Sequence, residues 1–289
     1  MSGIGALIIG DEIILGRRQD KHFARIVEIL AARGLTLDWA LYAGDDRERL
    51  TETLRRTLAG GDIVFSCGGI GNTPDDHTRQ AAAAALGVVL ELHAEAEREI
   101  RGRYAEVGRE VTRFALDMGR FPAGSRIIPN PVNRIAGFSH GDHHFVPGFP
   151  QMAWPMIEWV LDTQYADRFN RKPSADAAIL VWDGLESVLT PLMIRIEAEY
   201  PGLKVFSLPF LGSAERRRHI ELGVRGAPEQ VPAAMELMRR EVAVLGRNFA
   251  GQRTSGDDAL VVRGPERRAH GEHEVDRDVH GERALRVSH

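Results

Sequence analysis

Acidic residues recur in this chain directly behind short apolar runs. Asp11 and Glu12 follow Ile4 to Ile9, Asp45 follows Leu37 to Tyr42, and Asp75 and Asp76 close a loop that follows Asp62 to Cys67. Open α/β sheets bind ligands beyond the carboxyl ends of their strands. Acids at three neighbouring strand ends would therefore share one crevice. Carboxylates gathered in this way repel each other unless a cation sits among them, so Mg²⁺ or another divalent cation is implied. Each carboxylate also suits the N-cap of the helix behind it. Between Cys67 and Asp75 runs Gly68-Gly69-Ile70-Gly71-Asn72-Thr73-Pro74. Its glycines let backbone approach a ligand without a Cβ in the way. Its N–H groups, together with those of the next helix, suit a phosphate. Thr73 suits either a phosphate oxygen or a cap, and a capped, tight strand-to-helix turn is the simpler reading of the whole loop.

Other reactive groups carry less. His140, Asp142, His143 and His144 resemble metal ligands, but adjacent histidines in a strand point to opposite faces. A solvated hairpin turn is expected there instead. Cys67 is the only cysteine, so disulfides and cysteine-based zinc sites are excluded, and its place at the end of a buried strand predicts packing. Arg216-Arg217-Arg218 reads as a solvated loop. His270, His273, His280 and His289 lie in a segment that offers no preorganised metal site. Trp154, Met156 and Trp159 fall at helical spacing and read as core or as an oligomer contact.

The elements that must position these groups alternate. Strands are predicted at Ile4 to Ile9, Leu37 to Tyr42 and Ile63 to Ser66. Helices are predicted from about Asp20 (Phe23, Ile26, Val27 and Leu30 on one face), behind Asp46 (Leu50, Leu54, Leu58), and from His77 to Leu86, where Gly87 takes the left-handed cap. Asp75 or Asp76 is expected to cap the last of these. This βα alternation argues for a doubly wound, mostly parallel α/β sheet covered on both faces. One long polar helix is predicted from His93 to about Met118, then short strands around Ile127 and Phe145 and a helix from Gln151. Gln164 to Ala175 reads as a linker. A strand at Ala178 to Trp182, a helix at Ser187 to Tyr200, strands at Val205 to Leu208 and His219 to Val224, and a helix from Pro228 to Leu245 suit a small α+β domain. The expected organisation is a first domain at 1–165, a second at 176–248, and a polar, disordered tail at 250–289.

Composition bounds the partners. A formal charge of −4 over 289 residues, with no long basic face, gives no support to nucleic acid. No apolar run reaches membrane-span length, and the apolar stretch near the N-terminus is too short for a secretion signal. The cytoplasm is the expected compartment.

Longer motifs carry a resemblance. Gly10-Asp11-Glu12-Ile13-Ile14-Leu15-Gly16, with Asp20 behind it, resembles the opening of CinA-type competence/damage-inducible proteins. Gly68 to Asp76 resembles their GG-apolar-G-P-T-x-D-D loop. Asn130-Pro131, Ala136-Gly137-Phe138 and Pro147-Gly148-Phe149-Pro150 resemble their N-P…P-G-F and P-G-V-P elements, and Gly184 to Ser187 resembles the G-x-E-S start of a following domain. The first domain is similar to the molybdopterin-binding fold of MoaB and Mog proteins.

The resemblance implies a phosphorylated nucleotide or pterin as ligand, held by Gly10, Glu12, Gly68, Gly69, Gly71, Asn72, Thr73, Asp75, Gly148 and Pro150. It implies a catalytic role for Asp76 and Asp45, with Asp76, Asp45 and Asp11 toward a divalent cation. Metal-dependent cleavage of ADP-ribose-like pyrophosphates follows for the CinA branch, and adenylyl transfer to molybdopterin for the Mog branch. A non-catalytic nucleotide- or pterin-binding protein is a further alternative, and a homo-oligomer is implied. The deamidase domain of many CinA proteins is expected to be absent. Asn72 replaces the loop proline, Asn133 to Gly137 departs from G-x-A-P-G, and Met152 replaces a glutamate.

Overall fold

The computed structural model of the protein describes residues 2–169, 174–213, 216–249 and 262–263. The chain divides into two units, residues 1–172 and 173–289. In the first, β1 (Ile4–Ile9), β2 (Trp39–Ala43), β3 (Ile63–Cys67) and β8 (His143–Val146) run parallel, and β7 (Gly137–His140) and β6 (Arg126–Ile128) complete a sheet of order β2-β1-β3-β8-β7-β6. The helices are α1 (Asp11–Ile14), α2 (His22–Ala31), α3 (Arg47–Ala59), α4 (Thr78–Leu86), α5 (Ala94–Glu106), α6 (Arg113–Asp117) and α7 (Pro150–Gln164). A separate ribbon pairs β4 (Leu90–Leu92) with β5 (Arg120–Pro122).

Strand alternation divides the core. Ile4, Ala6, Ile63, Phe65 and Cys67 face Ile26 and Leu30 of α2 and Met156, Ile157 and Val160 of α7. Leu7, Ile9 and Val64 face Leu50 and Leu54 of α3 and the alanines of α4. Those alanines keep α4 close to the sheet, and Gly87 ends the helix in the left-handed conformation, φ 71°. The doubly wound, mostly parallel sheet is thus present. Its connections place the switch of direction between β1 and β3, which is where such sheets open a ligand crevice.

Four expectations for this unit need correction. Phe23 and Val27 of α2 are exposed, and Ile26, Ile29 and Leu30 form the buried row instead, because α7 covers that side of the helix. The long polar helix is two: Gly108 adopts φ 64°, and the Thr112 hydroxyl caps α6 by accepting from the Ala115 N–H at 3.1 Å. The linker region begins later than expected, since Ala166–Arg168 form a 3-10 turn and Phe169 packs on the first core.

The histidines of β8 are the fourth. His143 and His144 do point to opposite faces, but neither is solvated. His143 Nε2 lies 2.8 Å from Ser66 Oγ, and its ring stacks on Phe145. His144 bridges Ser139 Oγ (2.8 Å) and the Tyr165 hydroxyl (2.7 Å), and that hydroxyl donates to Asp142 at 2.7 Å. The hairpin brings these partners together, which spacing along the chain does not reveal.

The second unit is a βαββα arrangement of β9 (Ala175–Trp182), α8 (Glu186–Glu199), β10 (Lys204–Phe210), β11 (His219–Gly226) and α9 (Val231–Phe249). Its antiparallel sheet has the order β10-β11-β9, with β12 (Val262–Arg263) pairing on the other edge of β9. Leu189, Leu192 and Ile196 of α8 and Ala234, Met235 and Met238 of α9 form its core with Ile179, Leu222 and Val224. Arg217 pairs with Asp183, and Arg216 lies over Phe210. Apart from 262–263, the expected tail and its four histidines lie outside the described residues.

The buried histidines predict an acid transition. Burial lowers the pKa of His143 and of His144 from 6.5 to about 3. The unfolded chain therefore binds protons below pH 6.5 that the folded one refuses, so stability falls as pH drops toward 3. The slope approaches two protons, about 2.7 kcal/mol per pH unit. Denaturant titrations across this range check it. A His144→Gln variant should show a shallower slope, and an unchanged slope would remove this histidine from the account.

Candidate functional site

Backbone contact between β1 and β3 makes the site. Gly68, at the end of β3, adopts φ 118°, and a Cβ there would stand 2.1 Å from the Ile9 carbonyl oxygen. No side chain fits. Gly69 follows at φ 66° against the Thr78 hydroxyl, at 2.2 Å from a hypothetical Cβ. Thr78 is buried, and its hydroxyl donates to the Gly68 carbonyl (2.9 Å) while its N–H donates to that of Gly69 (3.0 Å). The loop is thus tied to the first turn of α4. Among the described residues, the N–H groups of Gly69, Ile70, Gly71 and Asn72 have no acceptor.

Arg79 supports the loop from beneath. It is 4% exposed, and its guanidinium donates to the carbonyls of Gly71 (2.5 Å) and Asp117. Burial lowers its pKa, and the charges of Asp76 and Asp117 oppose that shift. Asn72 donates to the Phe114 carbonyl at 2.6 Å. The loop and α6 are therefore linked twice. Arg79 was not anticipated from sequence; the available signal was a single cation in an otherwise small, apolar helix.

Asp76 does not cap α4. His77 occupies the N-cap position without a side-chain bond. Asp76 Oδ2 instead accepts from the N–H (2.7 Å) and hydroxyl (2.5 Å) of Thr73. It closes the turn, so the Thr73 N–H is not available to a ligand.

Asp11 and Asp45 brace the ends of β1 and β2. The Asp11 N–H donates to Asp45 Oδ2 at 2.8 Å, and the Asp45 N–H donates to Asp11 Oδ1 at 3.1 Å. Partial burial raises the Asp45 pKa, and the charges of Asp11, Glu12 and Asp75 raise it further. Asp75, rather than Asp76, is the loop carboxylate that acts on Asp45. Asp46, not Asp45, caps α3 through the Arg49 N–H at 2.9 Å. Glu12 folds beside Gly10, whose N–H donates to the Ala43 carbonyl at 3.0 Å. Among the described residues, no group of three or more His, Cys, Asp or Glu side chains is gathered to hold a metal ion.

The opposite wall is the turn into α7. A Cβ on Gly148 would lie 3.4 Å from the Gly68 Cα, and Pro150 opens the helix. Buried His22 also went unanticipated: its Nε2 donates to the Gly148 carbonyl at 3.0 Å, and Asp20 accepts from its N–H at 2.7 Å. Asp20 also accepts from the Tyr42 hydroxyl at 2.8 Å. Behind the site Asn133 reaches the Met152 sulfur (3.4 Å), and Arg134, at φ 63°, pairs with Glu99 and Glu106. Cys67 is buried, which pushes its thiol pKa up and leaves it unsuited to nucleophilic work.

A glycine loop with N–H groups that have no acceptor among the described residues thus lies at the switch point of a doubly wound sheet, with carboxylates at the neighbouring strand ends. Residues 5–166 match the family described as a probable molybdopterin binding domain, and the chain belongs to that family. A CinA-like protein of Anaeromyxobacter sp. is 36% identical over 254 residues, 78% of this chain and 62% of that one. A CinA-like protein of Geobacter metallireducens is 28% identical over 260 residues, 88% and 62% of the two chains. The chain thus spans less than two thirds of the length of these relatives. The crystal structure of the protein CinA from Thermoplasma acidophilum superposes with a TM-score of 0.50 at 26% identity, covering 56% of this chain and 98% of that one. Among the described residues, no helix is long and apolar enough to cross a membrane.

Asp45 generates a prediction of opposite signs. A carboxyl whose folded pKa is raised costs stability above that pKa. Asp45→Asn keeps the acceptor for the Asp11 N–H and removes the repulsion. Its Tm should exceed the wild type's at neutral pH, and the difference should vanish as acid protonates Asp45. Thermal melts across pH check this, and a lower Tm at neutral pH would show that the brace outweighs the repulsion.

Proposed function

We propose that the first unit binds a phosphorylated nucleotide and hydrolyses its pyrophosphate link with a divalent cation. One observation carries the reading: among the described residues the N–H groups of Gly69 to Asn72 have no acceptor, and Asp75 of the same loop acts with Asp11 and Glu12 on the carboxylate of Asp45. The donors suit phosphate oxygens. The crowded acids suit a hard cation, and Mg²⁺ needs only one or two carboxylates when phosphate oxygens complete its shell. Asp45, with Asp11 or Asp75, would hold the ion, which supplies charge neutralisation and an acidified water when bound.

The chain's own groups do the remaining work. The loop N–H groups orient the two phosphates and take up charge that grows on their oxygens as water attacks and the bridging oxygen leaves. Asp76 keeps those donors aimed by holding Thr73, and Arg79 does so by holding the Gly71 carbonyl. Both are positioning residues. The same site suits a second reading, pterin binding or adenylyl transfer to a pterin. It is favoured by the family's description.

Turnover separates the two. ADP-ribose incubated with the full chain and Mg²⁺, Mn²⁺ or Co²⁺ should yield AMP and ribose 5-phosphate. Asp45→Asn should abolish this, and Asp76→Asn should slow it on the order of a hundredfold, as expected when a preorganised donor is lost. A ligand-dependent melting shift without product from any metal would reject hydrolysis and leave the pterin reading.

A further inference from the structure

Three phenylalanines among the described residues are exposed: Phe23, Phe114 and Phe149. Two of them stand at the two ends of the glycine loop. Phe114, 70% exposed, is fixed to the far end, because its carbonyl receives the Asn72 side chain and Asp117, three residues on, receives Arg79. Phe149, 57% exposed, follows Gly148, which lies against Gly68 at the near end. Its backbone is fixed as well, since the Phe149 carbonyl accepts from the N–H groups of Met152 (3.0 Å) and Ala153 (2.9 Å), and His22 holds Gly148.

Scattered exposed apolar side chains need no explanation. This pair differs in its placement: both backbones are fixed at the ends of the loop, and among the described residues the four amides between them have no acceptor.

We infer that Phe114 and Phe149 stack on planar rings at the two ends of a pyrophosphate, which makes dinucleotides with two aromatic bases the preferred ligand class. The inference rests on the pyrophosphate reading of the loop. A diphosphate seated on Gly69 to Asn72 sends one substituent toward each end, where a flat ring covers apolar surface that otherwise faces water. Every heteroaromatic base has a π-face, so the grip selects for rings at both ends rather than for a particular base.

The test uses ligands that cannot be cleaved: methylenediphosphonate, with no ring, and the methylene-bridged analogues of ADP-ribose, with one, and of FAD, with two. Calorimetric titration of the full chain with Mg²⁺ should rank FAD analogue above ADP-ribose analogue above methylenediphosphonate, with at least about a fivefold step per ring. Phe114→Leu and Phe149→Leu keep apolar bulk and lose the flat face. Each should weaken the FAD analogue about 5- to 100-fold, while methylenediphosphonate is unaffected. One of the two, but not both, should weaken the ADP-ribose analogue, and Trp at either position should restore binding. Equal affinity for all three ligands, or Leu variants that bind the FAD analogue as wild type does, would overturn the inference. If methylenediphosphonate fails to bind while ring-bearing ligands still depend on both phenylalanines, the ring grip stands and the loop reading falls. If no ligand binds, both fall.

Discussion

The contact of Gly68 with the Ile9 carbonyl is the constraint on which the first unit's site depends. A parallel sheet brings β1 and β3 side by side, and their chains must then diverge to opposite layers of helices. At that divergence the backbone of β3 passes too near β1 for any Cβ. Beyond Gly68 the chain forms a loop whose amides cannot enter the sheet and cannot yet enter α4. Their lack of partners comes from topology, and buried helices on both faces prevent the sheet from rearranging to satisfy them.

Around that loop, side chains act on backbone more than on each other. Thr78, Arg79, Asp76 and Asn72 each spend hydrogen bonds on loop backbone or on α6. His22 does the same for the facing turn at Gly148. Preorganised amides of this kind need no reorganisation when an anion arrives, whereas free amides in water would. The carboxylates work in the opposite sense. Asp11 and Asp45 lock two strand ends together, while partial burial, and after it the gathered negative charge, raise the Asp45 pKa against the Asp11 N–H bond that lowers it. One interaction stabilises the scaffold and the other loads it.

The far end of the sheet shows the same logic without a site. His143 and His144 lie on opposite faces of β8 and each meets a hydroxyl, although the buried Nδ1 of His143 has no partner among the described residues. Their burial ties the hairpin to α7 through Tyr165 and makes the core sensitive to acid. In the second unit an independent core of α8 and α9 on a four-stranded antiparallel sheet needs none of these devices.

The order and type of most elements are legible along the chain, because apolar periodicity, Gly87 and the strand-terminal acids act within a few residues of where they stand. The sequence located the glycine loop between β3 and α4 and the carboxylates at the strand ends. Tertiary structure alone decided their partners. That Asp75 rather than Asp76 acts on Asp45, that Asp76 turns back on Thr73, and that Arg79 lies beneath Gly71 depend on how layers pack. The same holds for the buried histidines, which read as a solvated turn until β7, the strand missing from the sequence pattern, is laid beside β8. Local patterns record which face of an element is apolar; they hold no record of which distant hydroxyl, amide or charge arrives there when the sheet closes.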